Sequence, residues 1–225
     1  MLNHCQHGAS RQQAGFSLIE LLISMAILFI VAGAVFQQIN DMDKKSASEA
    51  DKLDMGQQAR EFVDQMVHDL HMAGYPRASM YAPGASDSTR IAAGLVSASP
   101  TDILLEGDVN NDGNVESVHI YYVASDPNDP NCPCVRRGAV LKVASPTQPS
   151  AASYTEIQHV LPPGSGPGGA GEDLFAFYDQ NGNQVTDLGS ISTVKVNLTL
   201  LTNVLDPASG GSMRTSLSGT ARLSH

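Results

Sequence analysis

Residues 16–36 read FSLIELLISMAILFIVAGAVF and carry a single charged side chain, that of Glu20. A helix rises about 1.5 Å per residue, so a helix of this length spans about 30 Å, the thickness of the hydrocarbon core of a bilayer. The residues before it, MLNHCQHGASRQQAG, are polar and end in Gly15. This stretch therefore predicts a membrane-spanning helix that begins close to the N-terminus.

Three interpretations of this segment differ in how they treat Glu20. A secretory signal peptide could be cleaved at the small residues 32–34, but the apolar run is long for such a peptide and has a carboxylate near its start. A plain membrane anchor leaves Glu20 as an unexplained cost of about 2.5–3.5 kcal/mol, or less near the interface. In the third interpretation Glu20 has a partner inside the membrane, as ionisable groups there usually do.

The third interpretation is favoured by a resemblance. Residues 15–20 read GFSLIE and precede an apolar run, which resembles the processing site of type IV prepilins and of type II secretion pseudopilins. The resemblance implies that a prepilin peptidase cuts between Gly15 and Phe16 and then methylates the new amino group of Phe16. It also implies that Glu20 pairs with the N-terminal ammonium of a neighbouring subunit during assembly, which would offset both burial costs.

The helix is predicted to continue beyond the apolar run. No proline occurs between Met1 and Gly74, and Gly74 followed by Pro76 is a termination signal. Apolar residues recur at three- and four-residue spacing in the second half, which predicts a face that packs on the rest of the protein: Ala59, Phe62, Val63, Met66, Val67, Leu70 and Ala73. We therefore expect one helix from Ser17 to Ala73, with its first half in lipid and its second half on a sheet.

After Pro76 the hydrophobic period changes to two, which is typical of strands. Asp-Gly, Asp-Pro, Asn-Gly and Gly-Gly pairs separate the alternating runs. One long helix followed by strands predicts an α+β fold in which the helix packs on a mainly antiparallel sheet. The predicted layout is a cleaved leader at 1–15, a transmembrane and assembly helix at 16–75 and an extracytoplasmic β-rich head at 76–225. The predicted strands are Thr101–Glu106, Val115–Val123, Val135–Val143, Tyr154–Leu161, Asp173–Tyr178, Thr193–Leu201 and Arg214–Leu223.

Three further stretches resemble PilW-like minor pilins. They are QQAREFVDQMVHDLHMAGYP at the end of the helix, EGDVNNDGNVESVHIYY in the middle, and the closing strand pair VKVNLTLLT and RTSLSGTARL. The resemblance implies a minor pilin that acts in pilus assembly or priming, first as a single-pass protein of the bacterial inner membrane with its head outside the cytoplasm, then in the pilus. Its implied partners are other minor and major pilins, the prepilin peptidase, the inner-membrane assembly platform and membrane lipid.

Two alternatives to the minor pilin stay open at this point. Pseudopilins of the J type from type II secretion systems share the same architecture. An anchored extracytoplasmic binding protein for sugar or DNA would have the same kind of anchor but would never enter a filament. The chain has a net charge of -10, from 13 Lys+Arg against 23 Asp+Glu. This charge argues against general nucleic-acid binding, because an acidic surface repels phosphate backbones.

Residues 108–116 have the spacing of a calcium loop, with Gly113 at its sixth position. Position 12 is His119, so the usual bidentate glutamate is missing. The alternative is a polar turn between two strands, in which Asp and Asn side chains accept hydrogen bonds from their own backbone. Calcium is thus the one cofactor that the sequence suggests, and the candidate ligands are Asp108, Asn110, Asp112, Asn114 and Glu116.

Two cysteines, Cys132 and Cys134, remain after removal of the leader, which contains Cys5. Outside the cytoplasm such a pair is expected to be oxidised or to bind something. A local disulfide that pins a loop is the favoured prediction, with free thiols and a metal site as alternatives. Two thiols do not complete a zinc site, and no histidine lies nearby in sequence.

Catalytic motifs do not emerge from the sequence, and we expect that the chain is not an enzyme. The G-x-G-x-x-G match at 166–171 follows Pro162 and Pro163 in a Gly/Pro-rich stretch and no helix pattern opens behind it, so it does not predict a nucleotide site. The P-loop, G-x-S-x-G and H-E-x-x-H motifs do not occur.

Overall fold

The structure is a computed structural model that describes residues 15, 17–81, 89–143, 148–149, 154–164, 172–205 and 211–223. Most of the predicted leader and the predicted methylation site, Phe16, therefore lie outside the described residues. The chain divides into two compact units, Met1–Ala47 and Ser48–His225.

Helix α1 spans Leu18–Met72, within one residue of the predicted helix at each end. Its first turn is closed by the backbone N–H of Glu20, which donates to the carbonyl of Ser17 over 3.0 Å. At its other end Gly74 has a φ of 82°, a conformation that favours glycine and that ends helices. The predicted stop signal at Gly74 therefore ends the helix as expected.

The second half of α1 supplies one side of the hydrophobic core. Five of its predicted face residues are buried, and Phe62 and Val67 pack against the same core at its edge. The sheets supply the opposite side with alternate apolar side chains, among them Ile103, Val118 and Val196. The predicted apolar stripe is therefore confirmed, and its buried members are Ala59, Val63, Met66, Leu70 and Ala73.

Within the described residues, eight strands form two sheets, and every pairing between them is antiparallel. The five-stranded sheet has the order β1-β2-β3-β4-β5 and the three-stranded sheet the order β6-β7-β8. The predicted α+β class is confirmed. The strands are β1 Gly94–Ser99, β2 Asp102–Gly107, β3 Glu116–Val123, β4 Cys134–Leu141, β5 Tyr154–Gln158, β6 Phe175–Tyr178, β7 Thr193–Leu205 and β8 Ser212–Arg222.

Two of the differences from the predicted strands have an identifiable physical cause. Strand β1 was not predicted, because GLVSAS contains few of the branched and aromatic residues that mark strands, and its pairing with β2 determines its conformation. Strand β5 ends at Gln158 and not at Leu161, because His159 has a φ of 58° and leaves the extended region. Beyond it, Val160 forms an isolated antiparallel bridge with Leu200 of the three-stranded sheet.

At two glycines, Gly107 and Gly219, the backbone of a strand lies very close to helix α1. A Cβ on Gly107, at the end of β2, would collide with the backbone of Met72. A Cβ on Gly219 of β8 would lie 2.6 Å from Val67 Cγ2 and 2.9 Å from Val63 Cγ1. The second half of α1 can therefore lie on both sheets only because neither position carries a side chain.

Candidate functional site

The N-terminal part of α1 presents an apolar surface all round. Every large apolar side chain from Leu18 to Ile39 is exposed, the least so being Ile39 at 47% and the most Leu18 at 77%. The helix is long and apolar enough to cross a membrane. A surface of this kind is stable only when lipid or other apolar helices cover it.

Glu20 is the one acidic residue of the first turn of α1 and its side chain is exposed. A carboxylate there is favourably placed relative to the partial positive charge of the helix N-terminus. Ser24 Oγ donates to the Glu20 carbonyl oxygen over 2.8 Å, so the serine hydroxyl is satisfied inside the helix. Gly15, on the leader side of the predicted cut, is exposed.

Comparison with known families gives a match on this segment. Residues 10–36 match the family model described as the prokaryotic N-terminal methylation motif, a range that contains Gly15, Phe16 and Glu20. The match supports a type IV pilin-like protein. It implies processing by a prepilin peptidase and, with the apolar helix, a membrane-anchored protein associated with pilus assembly; proteins with this motif are in general structural and not enzymes. No curated protein and no solved structure matches the chain.

The 108–116 loop brings its predicted residues together at the start of β3. Both carboxylate oxygens of Asp108 accept backbone hydrogen bonds, from the N–H of Asp112 (3.0 Å) and of Gly113 (2.9 Å). Asn111 and Gly113 have φ values of 59° and 88°. In this left-handed backbone conformation, Asn111 and Gly113 turn the chain around the Asp108 carboxylate. Asp108 is buried, with 3% of its surface exposed.

Glu116 closes the loop from the strand side. Its Oε2 accepts the N–H of Val109 and its Oε1 accepts Asn110 Nδ2, each over 3.1 Å. Burial, followed by the charges of Asp112 and Asp108, raises the pKa of Glu116. By contrast the pKa of Asp112 is lowered, chiefly by the backbone N–H of Asn114, which donates to it over 2.8 Å.

The loop combines features of both sequence interpretations. Its oxygens are the hard ligands that calcium prefers. The pKa of Glu116 is raised first by burial and to a lesser degree by the charges of Asp112 and Asp108. The same oxygens already accept the hydrogen bonds of a polar turn. Within the described residues, no three carboxylates of the loop bring oxygens within 4.8 Å of one another. Calcium binding by this loop stays a prediction.

Cys132 and Cys134 are joined by a disulfide at the entry to β4. Cys134 is fully buried and Cys132 is partly exposed. Beside them Arg136 forms ion pairs with three carboxylates, those of Asp126 (2.8 Å), Asp129 (3.2 Å) and Glu156 (3.1 Å).

Sequence reasoning considered the two cysteines alone and missed two carboxylates that the fold places beside them. Asp129 and Glu156 bring oxygens to within 4.8 Å of both sulfurs. Arg136 of β4 lies directly opposite Glu156 of β5, and side chains alternate along a strand, so Cys134 shares their face of the sheet. Only the register of β4 against β5 reveals this contact, since Glu156 follows Cys134 by more than twenty residues.

Proposed function

We propose that this chain is a minor pilin, a structural subunit that enters a type IV pilus through its N-terminal helix and takes part in assembly or priming. Residues 1–15 are the leader, cut between Gly15 and Phe16, and Phe16 carries the methylated amino group. Residues 16–75 form the transmembrane and assembly helix, and residues 76–225 form the head.

The observation that carries this proposal is the surface of α1 between Leu18 and Ile39. It is apolar on all sides, and its only acid, Glu20, lies in the first turn inside the matched motif. A free helix of this kind is soluble only in lipid. In a bundle of such helices the same side chains pack on copies of themselves, and a buried Glu20 then requires a cation. The ammonium of a neighbouring subunit's first residue supplies that cation.

The head supports a location outside the cytoplasm. Disulfides such as Cys132–Cys134 persist in oxidising compartments and are rare in the cytosol. The chain is therefore proposed to sit in the inner membrane with a single span, head outward, until it joins other minor and major pilins at the assembly platform.

Fractionation of sheared filaments tests the proposal. An epitope-tagged chain, expressed from its own locus, is expected in the filament fraction in amounts well below those of the major subunit. A strain without the prepilin peptidase is the control, because an unprocessed chain cannot assemble. Detection only in membranes, in a strain with normal filaments, would contradict the minor pilin role. Loss of secretion of folded enzymes in the deletion strain, with normal pili, would identify a J-type pseudopilin instead.

A further inference from the structure

The two disulfide cysteines and the two carboxylates beside them come from three segments of the head. Asp129 lies in the turn that follows β3, Cys132 lies just before β4, Cys134 is the first residue of β4, and Glu156 lies in β5. One potential ligand atom from each lies within 4.8 Å of all the others. Two ligands of one zinc ion, each about 2.0–2.3 Å from it, are separated by at most about 4.6 Å. The four groups therefore lie close to the mutual distances of a zinc site, and the two bonded sulfur atoms must separate on reduction to enter it.

The chemistry of the four groups suits zinc. Thiolate sulfur and carboxylate oxygen are both zinc ligands, and four protein ligands make a closed site of the structural kind. Cys134 is fully buried and Asp129 and Glu156 have side chains 18% and 23% exposed, so an ion here would be largely shielded from water.

We propose that the reduced head binds one zinc ion through Cys132, Cys134, Asp129 and Glu156, and that the disulfide is the metal-free state of the same site. The sulfur atoms can hold the ion only as thiolates. Oxidation therefore excludes the metal, and the metal in turn protects the two cysteines from oxidation.

The interconversion requires two electrons, and a dithiol reductant supplies them. The S–S bond between Cys132 and Cys134 breaks while one S–S bond forms in the reductant, whose two protons pass to the protein thiols. Zinc binding then releases both of these protons to solvent as the thiolates form. Two thiolates and two carboxylates bring four negative charges, of which zinc neutralises two.

Arg136 is the positioning residue of this site. Its guanidinium holds Oδ2 of Asp129 and Oε2 of Glu156, and it also reaches Asp126. The remaining carboxylate oxygens are held too, Asp129 Oδ1 by the N–H of Asn131 and Glu156 Oε1 by Gln158 Nε2. Each carboxylate oxygen has two lone pairs, so these bonds orient the ligands and leave a pair free for a metal.

Metal titration of the full-length chain in detergent tests the proposal. The chain is reduced with a phosphine, which takes up the oxygen of one water molecule as the disulfide becomes two thiols and which does not compete for zinc as a dithiol does. We expect one equivalent of zinc per reduced chain and none per oxidised chain. Cobalt(II) is expected to give sulfur-to-metal charge-transfer absorption with the reduced chain only.

Substitutions of the carboxylates show whether zinc is held by all four ligands or by the two thiolates alone. Asp129→Asn and Glu156→Gln are each expected to weaken zinc binding at least by the ~10–100-fold that the loss of a supporting group costs at such sites. Asp126→Asn is the matched control, because Asp126 also pairs with Arg136 but is not a ligand, and it is expected to retain the site. Unchanged affinity in both ligand variants, or equal binding by the oxidised chain, would overturn the proposal.

One further measurement needs no variant. Zinc is expected to slow alkylation of Cys132 and Cys134 in the reduced wild-type chain at least tenfold, because a bound thiolate is a poor nucleophile. Alkylation at the same rate with and without zinc would overturn the proposal even if every variant failed to fold.

Discussion

Arg137 of strand β4 donates two parallel hydrogen bonds to Asp69 of helix α1, from Nε to Oδ2 and from Nη2 to Oδ1, the second over 2.9 Å. The Asp69 side chain is fully buried, and that of Arg137 is 15% exposed. Gln65 Nε2 donates to the same Asp69 oxygen as Nη2, over 3.0 Å. A buried and charge-assisted pair of this geometry fixes the rotation of the helix on the five-stranded sheet.

The first prediction concerns this pair. Asp69→Ala leaves the guanidinium of Arg137 without its partner inside the fold, and we expect a loss of about 3–5 kcal/mol in the free energy of unfolding. Urea unfolding of the full chain in detergent, followed by circular dichroism, measures the loss. The matched control is Glu172→Ala, which breaks the exposed pair with Lys195 and is expected to cost at most about 1 kcal/mol. Equal losses in the two variants would contradict the structural role of Asp69.

The second prediction concerns processing. Mass spectrometry of the mature chain is expected to show methylated Phe16 as its first residue. Gly15→Ala is expected to be tolerated, whereas Gly15→Leu is expected to leave the leader attached, because the peptidase requires a small residue before the cut. A mature N-terminus at Val35 would instead indicate a secretory signal peptide.

The third prediction concerns Glu20. Glu20→Ala is expected to leave membrane insertion and cleavage near normal and to deplete the chain from sheared filaments, because loss of one partner of a buried pair typically costs about 3–5 kcal/mol. Glu20→Asp, with its shorter reach, is expected to be intermediate. Full incorporation of Glu20→Ala would show that the carboxylate is incidental.

The fourth prediction concerns calcium. Millimolar calcium is expected to raise the Tm of the full chain, because an ion that binds only the folded loop stabilises the folded state. Asp108→Ala combined with Asp112→Ala is expected to abolish that rise. The matched control is Asp179→Ala, which removes a carboxylate that accepts the backbone N–H groups of Asn181 and Asn183 in a similar turn. A Tm of the wild-type chain that does not respond to calcium would leave the hydrogen-bonded turn as the whole role of the loop.

The fifth prediction concerns pH. Because burial raises the pKa of Glu116, the folded state holds this proton more tightly than the unfolded chain does. The contribution of Glu116 to stability is therefore largest below its unfolded pKa and is lost as the pH rises through its folded pKa. The Glu116→Gln variant has no ionisable group at this position, so it does not lose this stability as the pH rises. With a calcium chelator present, we expect the stability of the wild type relative to this variant to fall as the pH rises above the ordinary pKa of a glutamate.

The control for the pH prediction is Glu49→Gln, on the exposed surface of α1. Its stability relative to the wild type is expected to stay nearly constant over the same range. A wild-type curve parallel to that of Glu116→Gln would show that the proton of Glu116 is not held by the fold.

Local signals predicted the helix and most strands. The extent of α1 followed from the unbroken apolar run, the three- and four-residue stripe and the Gly74–Pro76 stop, all of which act within a few residues of each other. The alternation around Val194 predicted β7, because a half-buried strand imposes a period of two on its own sequence. Strand β1 carries no such pattern and depends on β2 for its existence.

By itself the sequence determined the N-terminal motif, the apolar helix with its lone Glu20, the α+β class and the turn chemistry of residues 108–116. Only the tertiary structure decided the division into two sheets, the pairing of Asp69 with Arg137 and the arrival of Asp129 and Glu156 beside the cysteines. The physical reason is the distance along the chain between the residues that interact. Helix periodicity, caps and turns are interactions between near neighbours, whereas strand register joins residues far apart, and a shift of one residue would turn Glu156 to the opposite face of the sheet.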